Sequence, residues 1–250
     1  MLSREKILSQ QPANQKTDAH PSNLEAAYQR LRGAIIRQEY KPGAIISQVR
    51  LASQLGVSRT PLREAMRLLE REGLLVAEHN RRVRIADMSI KDMEELYALR
   101  LSIEPVALRV SAPLLTNDEY VRLHPLLNEM DILMRREDVD AWEKAHREFH
   151  LLLVSHAGNR SVKLISDLSD HAERYRRRFI SQGATRWSAS ADDHKTILNH
   201  CEKGDAAAAA VSLAHHYART SLSLLLAHDP THEPTTIRSA LRMVIGEPAP

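Results

Sequence analysis

The chain has 250 residues and a formal net charge of +3, a length that suits two modest domains. Its single cysteine, Cys201, excludes an internal disulfide framework and is typical of a reducing cytoplasm. The sequence has no apolar run approaching the roughly 20 residues of a membrane span and no apolar secretion signal. We therefore expect a cytoplasmic protein without a membrane segment.

Basic charge is concentrated near the N-terminus. Residues 24–88 carry 12 Lys and Arg against 7 Asp and Glu, whereas residues 89–250 carry 20 against 23. A basic module joined to a mildly acidic remainder predicts a protein that touches nucleic acid with one end only.

The first elements are short and mixed. Residues 1–22 are polar and without periodicity, which predicts a flexible arm. A helix is predicted over residues 23–38, a turn at Lys41 to Gly43, and a short strand over 44–46. Two further strands, 74–78 and 82–85, bracket His79 to Arg81 as a hairpin whose turn residue Asn80 tolerates positive φ.

Between these strands, residues 51–75 predict two helices that meet at Gly56. Ser58 stands where it can cap the second helix, and Pro61 falls in that helix's first turn, where a missing amide costs little. Ala52, Leu55 and Val57 are expected to face inward. The second helix has a buried stripe and an outward arginine face, formed by Leu62, Ala65, Met66 and Leu69 and by Arg59, Arg63 and Arg67 respectively. The pattern is typical of a helix-turn-helix that reads DNA with its second helix.

This segment resembles the winged helix-turn-helix domain of the GntR family of bacterial transcription regulators. The matching residues are Lys41 to Gly43, Leu51-Ala52, Leu55 to Pro61, Arg63 to Ala65 and Leu69 to Leu74. The resemblance implies a DNA interface made by Arg50, Ser58, Arg59, Thr60, Arg63, His79, Asn80 and Arg81. Two departures are Asn80, where relatives carry glycine, and Gln48 to Arg50, where many relatives carry an acidic-basic-acidic run.

From residue 90 onward only helices are predicted, at about 90–111, 117–136, 138–157, 160–181, 189–203 and 205–228, with a short one at 236–245. Their expected N-terminal caps are Thr116, Asp138, Asn159 and Asp205. The fold class is therefore mainly α: a winged helix-turn-helix with a small β wing, followed by an all-α bundle. The predicted domains are 1–22 (arm), 23–88 (DNA-binding), 89–228 (helical) and 229–250 (tail).

The helical half resembles the FCD effector domain found in one branch of the GntR family. The matches are Leu96 to Arg100, Ile103-Glu104, Phe149-His150, Gly158-Asn159, His194, Ile197-Leu198, Gly204-Asp205 and His216. Many FCD domains bind a divalent metal through an Asp, a His four residues later and two later His. Carried over, the resemblance implies His146 in place of the Asp, then His150, His194 and His216.

The spacing supports part of this set independently. His146 and His150 are four residues apart and share one helix face, and His194 shares its face with Ile197, Leu198 and Cys201. His215 competes with His216, and only the family register chooses between them. Four nitrogen ligands disfavour manganese and magnesium and favour zinc, nickel or copper, of which zinc is favoured on availability. The alternative is a buried histidine group that lost its metal together with the aspartate.

The sequence thus predicts a homodimeric, ligand-responsive transcription regulator that binds a palindromic operator in double-stranded DNA and is not an enzyme. Its small-molecule effector is expected to be a carboxylate held at the metal, with Arg100 as a further contact; a salt bridge from Arg100 to Glu104 is the alternative. Two other functions are a metal-dependent hydrolase or lyase with a vestigial DNA module, and a metal-free regulator that responds to an acyl ligand. The runs Arg135-Arg136 and Arg174 to Arg178 are expected to be solvated, and Cys201 to be a core residue.

Overall fold

The computed structural model describes residues 23–80, 82–181 and 191–246. The N-terminal part comprises α1 (Asn23–Ile36), β1 (Ile45–Ser47), α2 (Gln48–Leu55), α3 (Arg59–Arg71), β2 (Leu75–Glu78) and β3 (Arg82–Ile85). The helical part comprises α4 (Ile90–Ser111), α5 (Asn117–Arg135), α6 (Val139–Leu153), α7 (Asn159–Ser181), α8 (Ala191–Glu202), α9 (Ala206–His228) and α10 (Thr235–Ile245), with a 3-10 turn at Ala112–Leu114. The predicted fold class is confirmed.

The N-terminal part is a three-helix unit with a small antiparallel sheet. The strand order is β1-β3-β2, with Ile45 opposite Arg84 and Leu75 opposite Ile85. The core contains the predicted stripe of α3 and apolar residues of α1, α2 and the hairpin, including Leu31, Ile35, Leu51, Leu62, Met66, Leu69, Val83 and Ile85. Burial of this face fixes α3 with its opposite face in solvent.

Turn chemistry follows the sequence at two positions and departs from it at one. Gly56 ends α2 at φ 62°, and Asn80 turns the hairpin at φ 59°. Ser58 lies at the start of α3 with an extended backbone, but its side chain makes no capping hydrogen bond. The prediction that Ser58 caps the helix is therefore wrong for the free protein, and its hydroxyl is exposed.

The helical part is a bundle in which α4 packs against α7, α9 and α10. Tyr97, Phe149 and Tyr217 are buried in its core, and Cys201 is buried as predicted. Thr116, Asp138 and Asp205 cap their helices through their side chains, whereas Asn159 is the first residue of α7 itself. Among the described residues, no helix is long and apolar enough to cross a membrane.

The run Arg174 to Arg178 is not the solvated face that the sequence predicts. Arg174 and Arg176 are only 2% and 3% exposed. Arg176 forms a two-pronged ion pair with Glu143 of α6, at 3.1 and 2.7 Å. Arg176 thus has its partner on a different helix, which the local sequence does not reveal.

Helix α7 also contacts the N-terminal part. Asp170 pairs with Arg32 of α1, and the Nε2 of His171 lies 2.8 Å from the carbonyl oxygen of Glu72, the residue directly after α3. Arg174 donates to the carbonyl of Ala86, in the linker before α4, at 2.7 Å. One helix of the bundle thus contacts the end of α3 and the linker.

Candidate functional site

Four histidines from three helices meet inside the bundle. His146 and His150 lie on α6, His194 on α8 and His216 on α9. All four are buried, and one ring nitrogen from each lies within 4.8 Å of those from the other three. His215, which the sequence leaves as an alternative to His216, is half-buried and lies outside this group. The structure brings together the four histidines that the sequence predicts.

Asp193 orients His216. The Nδ1 of His216 lies 3.3 Å from Oδ2 of Asp193, which also binds Arg219. Burial raises the pKa of the Asp193 carboxyl, but the hydrogen bonds from His216 and Arg219 outweigh it, so that the pKa is lowered and the carboxylate is charged. A carboxylate that accepts from Nδ1–H leaves the Nε2 lone pair of His216 available, as in many metal-ligating histidines.

Tyr217 plays the same part for His150. Its hydroxyl donates to Glu104 and lies 3.2 Å from the Nδ1 of His150, so it can accept a hydrogen bond from that nitrogen. The Nε2 of His150 is then a lone-pair donor, and it lies 3.1 Å from the Nε2 of His194. Two facing imidazole nitrogens at this distance share either one proton or one bound ion.

Arg100 belongs to the same network. It pairs with Glu104 at 2.6 Å, both side chains being 1% exposed, and its guanidinium lies over the ring of Tyr217, 4.1 Å from the centroid. The salt bridge that the sequence offers as an alternative is therefore present. Arg100 is linked to His150 through Glu104 and Tyr217, which places a fixed positive charge beside the histidine group.

His146 occupies the position where the resemblance to the FCD domain implies an aspartate. Its ring stacks on Trp142, with centroids 4.4 Å apart. The Nδ1 of His146 is buried and has no hydrogen-bond partner among the described residues. A buried polar atom without a partner is costly. A bound cation that accepts the lone pair of this nitrogen would remove that cost.

The electrostatics of the site suit a cation. Burial, with a smaller effect from neighbouring histidines, holds the pKa of His146, His150 and His194 well below the ordinary 6.5, and burial also lowers the pKa of His216. All four imidazoles are therefore neutral at pH 7, the form that binds metal. Four nitrogens and no carboxylate oxygen form a donor set for zinc, nickel or copper. The residues fit the ion.

Within the described ranges, no acid around this site is placed as a general base. Glu148, two residues from His146 and from His150, is exposed on a different face of α6. The other nearby acids are each held by an arginine: Glu104 by Arg100, Glu143 by Arg176 and Asp193 by Arg219. A charged group already committed to an arginine is a poor general base.

The expected DNA interface, unlike the buried histidine site, lies on the solvent-exposed surface. Its described members are all exposed: Arg50, Ser58, Arg59, Thr60, Arg63, His79 and Asn80. Within the described ranges, Arg50, Arg59 and Arg63 have no ion-pair partner, whereas Arg32, Arg37 and Arg84 of the same domain all do. Arg81 lies outside the described residues. Exposed cations without protein partners are available to phosphates or base edges.

Several residues around the histidines were not predicted as functional. Asp193, Tyr217, Glu104, Trp142 and the Glu143–Arg176 pair complete the surroundings of the four rings. Asp193 neighbours His194 in sequence but binds His216 on another helix, so only the folded chain shows its role. Tyr217 follows His216 directly, and a polar aromatic beside an inward histidine is the one signal that the sequence offered.

Comparison with known proteins gives the family of the chain. The sequence model of the FCD domain matches residues 95–219, and that of the bacterial regulatory proteins of the gntR family matches residues 23–85. The chain is 30% identical over 192 residues to the HTH-type transcriptional regulator YdhC of Bacillus subtilis, covering 76% of this chain and 85% of that protein. It is 34% identical over 183 residues to the Nta operon transcriptional regulator of Aminobacter aminovorans, covering 72% and 84%.

The fold has counterparts among solved structures. E. coli McbR/YncC superposes with a TM-score of 0.76 at 18% identity, covering 84% of this chain and 100% of that chain. A GntR regulator from Rhodococcus sp. RHA1 gives 0.70 at 23% identity, covering 85% and 100%. The fold, the exposed recognition helix and the regulator relatives define a DNA-binding transcription regulator. The chain belongs to the GntR family and carries a C-terminal FCD domain.

Proposed function

We propose that this regulator is a cytoplasmic homodimer whose FCD domain binds a divalent metal through His146, His150, His194 and His216, and senses a carboxylate effector there. The observation that carries the proposal is the convergence of four buried, neutral imidazoles, one with an unpartnered nitrogen. An ion held by these rings would supply a Lewis-acid site for a carboxylate. Zinc is the favoured ion, and nickel and copper fit the same donors.

Arg100 is proposed as the second contact of the effector. Its guanidinium is buried beside the histidine group and is held in place by Glu104 and Tyr217. A fixed arginine next to a metal is suited to an anion that binds both. Because Glu104 already binds Arg100, an effector carboxylate would share the guanidinium or displace Glu104 from it.

At the other end, we propose that Arg59 and Arg63 contact bases or flanking phosphates, that Ser58, Thr60 and Arg50 bind phosphate, and that residues 79–81 lie in or beside the minor groove. The exposure of the described side chains in this set, which excludes Arg81, and the free Ser58 hydroxyl support this assignment. One small winged helix makes few base contacts, so two copies on a palindromic operator are needed for useful specificity.

This function divides the chain as its sequence does. The predicted arm, residues 1–22, lies outside the described residues. Residues 23–88 are proposed to read DNA, residues 89–228 to bind metal and effector, and the remaining residues from 229 onward are the predicted tail. The tail includes α10, which packs on α4 and α9.

The metal is tested by elemental analysis of the purified full-length protein. We expect about one divalent ion per chain, and chelation should lower the melting temperature because the ion binds only the folded state. His150→Ala should lose the stoichiometric metal, whereas the matched control His215→Ala should retain it. His146→Asp should shift preference towards manganese.

The effector is tested on the same samples. Citrate, used as a tricarboxylate probe, should raise the melting temperature of the metal-loaded protein and not of the chelated protein, and Arg100→Met should weaken this shift. If zinc, nickel and copper all fail to bind the wild-type protein in stoichiometric amount, the metal site is wrong. If metal binds but no carboxylate changes the melting temperature, the effector class is wrong.

A further inference from the structure

A cleft lies between the DNA-binding domain and the helical bundle. Its volume is about 450 Å³, which is within the range of small-molecule pockets in proteins. One wall is α1 of the DNA-binding domain, and the other is formed by α6 and α7. None of the four histidines lines it. The cleft is therefore a second cavity, separate from the histidine site.

Positive charge is in excess in this cleft. Five basic side chains line it against four carboxylates. One of these carboxylates, Glu143, is held by Arg176, which is not part of the lining. Two others, Asp140 and Glu173, both pair with Arg177. With Glu143 set aside, five positive charges face three negative ones, which leaves an excess of two.

The fourth carboxylate, Asp170, is shared by two arginines. It is 2% exposed and accepts hydrogen bonds from Nη2 of Arg32 and from Nε and Nη2 of Arg147. Arg32 also lies 3.6 Å from Glu72, which does not line the cleft. The Nη1 of each arginine has no hydrogen-bond partner among the described residues. Both guanidinium groups therefore keep donors for a further anion.

Lys144 adds a third cation to this part of the lining. It lies three residues before Arg147 on α6, so that the two side chains share one face of the helix. Lys144 is exposed and has no ion-pair partner in the part of the chain that the structure describes. On the opposite wall, the guanidinium of Arg37 lies so close to Gly33 that a Cβ there would be 2.8 Å from its Nη1. Cations thus line both walls.

We propose that this cleft binds the phosphate group of a small phosphorylated metabolite, held by Arg32, Lys144 and Arg147. A phosphate monoester carries a charge of about −1.5 to −2 at pH 7 and three acceptor oxygens. It therefore matches both the excess charge and the three cations, whereas a single carboxylate supplies one charge and two oxygens. The inference goes beyond the proposed function, because this site uses neither the histidines nor the recognition helix.

The rest of such a metabolite has room beside its phosphate. A second cavity of about 410 Å³ shares Lys144 and Arg147 with the cleft and continues along α6 towards α5. Leu151 and Leu152 provide apolar surface there, and Ser155 provides a hydroxyl. A ligand whose phosphate lies in the cleft would extend its carbon skeleton into this cavity.

A ligand in this position connects the two domains. Arg32 belongs to the DNA-binding domain, whereas Lys144 and Arg147 belong to the bundle. An anion bound by all three adds a second link beside the contact between Arg32 and Asp170. Binding should therefore fasten α1 to α6 and slow hydrogen exchange at the amides of both helices.

The site is tested by isothermal titration calorimetry on the full-length protein. Ribose 5-phosphate is the probe, and we expect saturable binding to one site per chain. Ribose, which lacks the phosphate, should not bind. Binding should be the same before and after the metal is removed, since the histidines take no part in it. Loss of binding on metal removal would assign the phosphate to the histidine site and overturn the cleft.

Inorganic phosphate is the second probe and separates two sources of the same chemistry. It should bind more weakly than ribose 5-phosphate, because it makes no contact in the adjoining cavity. Equal affinity for the two probes would overturn the metabolite and leave a site for the free ion. A protein that binds neither probe would overturn the site altogether.

Variants distinguish the cleft from other basic surfaces. Lys144→Glu should raise the dissociation constant of ribose 5-phosphate about 10-fold or more, because it replaces an attractive charge by a repulsive one. Lys144 is exposed, so the variant should fold, which circular dichroism checks. Lys203→Glu, at another exposed lysine without an ion-pair partner among the described residues, is the matched control. Arg63→Ala, on the DNA-binding surface, should also leave the affinity unchanged.

Hydrogen exchange with and without ribose 5-phosphate locates the ligand. Slower exchange in α1 and α6 supports the cleft. Protection confined to α3, or a loss of affinity in Arg63→Ala equal to that in Lys144→Glu, would place the phosphate on the DNA-binding surface and overturn the inference. Either failure would leave the proposed metal site and DNA contacts untouched, because they are measured without this ligand.

Discussion

The recognition helix and the histidine site use charge in opposite ways. On α3, Arg59 and Arg63 are exposed and have no ion-pair partner among the described residues. In the bundle, Arg100 and Arg176 are almost fully buried, and each is paired with a glutamate. The first surface is completed only by an external anion, whereas the second is an internal network that must be satisfied for the domain to fold.

The difference predicts that the two regions respond oppositely to the loss of an arginine. Removing a buried, paired arginine leaves an uncompensated carboxylate and destabilises the fold. Removing an exposed, unpaired one costs little stability and acts on DNA binding instead. The comparison can therefore be tested by measuring stability and DNA affinity on the same variants.

The largest effect is expected at Arg176. Arg176→Ala should lower the free energy of unfolding by about 3–5 kcal/mol, because Glu143 is 1% exposed and would lose its partner. Urea denaturation followed by circular dichroism measures this change. Arg176→Met combined with Glu143→Leu should recover most of it, since neither charge then remains buried.

Arg238→Ala is the control for that experiment. Arg238 pairs with Glu233 on the surface, both being more than half exposed, and such pairs contribute less than about 1 kcal/mol. If Arg176→Ala costs no more than Arg238→Ala, the buried network does not hold the bundle together.

The second-largest effect on stability is expected from acid, which acts on the histidine site. His146, His150 and His194 have pKa values well below 6.5 in the folded chain and about 6.5 when unfolded. Below pH 6.5 the unfolded state therefore binds more protons, and stability is lost as pH falls. Between pH 7 and pH 5.5 each histidine should contribute a loss of about 1 kcal/mol, or about 3 kcal/mol in all.

Urea denaturation of the chelated protein across this pH range measures the effect without competition from metal. Replacing His146 by Gln should reduce the slope, whereas replacing the half-buried His215 by Gln should not. Stability that does not change between pH 7 and pH 5.5 would contradict the assignment of the buried rings as neutral.

The sequence predicts the DNA-binding domain well because its signals are local. The buried stripe of α3 and the turns at Gly56 and Asn80 each depend on residues within a few positions. His146 and His150 share a face for the same reason. Prediction from sequence fails where the partner of a side chain lies on a distant element. Nothing near Arg176 in the sequence indicates that it pairs with Glu143 on another helix.

The choice of His216 over His215 shows the same limit. Periodicity leaves both open, and the structure decides because His216 lies buried in the histidine group and binds Asp193 of α8, whereas His215 lies outside the group. Asp193 was not predicted, since it precedes His194 but orients a different ring. Contacts between helices, rather than periodicity within one helix, determine this part of the site.

DNA binding gives the next smaller effect. Arg63→Ala should weaken binding to the operator by about 1–3 kcal/mol if Arg63 makes a bidentate guanine contact, and should relax preference at one base pair. Its stability should change by less than about 0.5 kcal/mol, because the side chain is exposed. Fluorescence anisotropy on a set of single-base operator variants measures both affinity and preference.

Arg71→Ala is the matched control, since Arg71 is also exposed but lies at the last turn of α3. It should not change base preference. A loss at Arg63 that is equal for every sequence would reassign that residue to phosphate, and unchanged binding would remove α3 from the groove.

The smallest effect is expected where the two regions meet. Arg32 of α1 pairs with Asp170 of α7, and Asp170 also pairs with Arg147, the residue after His146 on α6. Arg32→Ala should cost only about 1 kcal/mol, because Asp170 keeps Arg147 as a partner. Hydrogen exchange should nevertheless quicken at the amides of α1, since this contact holds the DNA-binding domain on the bundle.

Arg37→Ala, which removes an exposed pair with Glu39 on the same helix end, is the control and should leave exchange in α1 unchanged. The contact also offers a route from the histidines to the DNA-binding domain, because Arg147, which pairs with Asp170, directly follows His146 on α6. Chelation should therefore change the operator affinity of the wild-type protein more than that of Arg32→Ala, which anisotropy with and without chelator measures. An equal change in both proteins would show that the site acts on DNA binding by another path, such as the spacing of the two subunits.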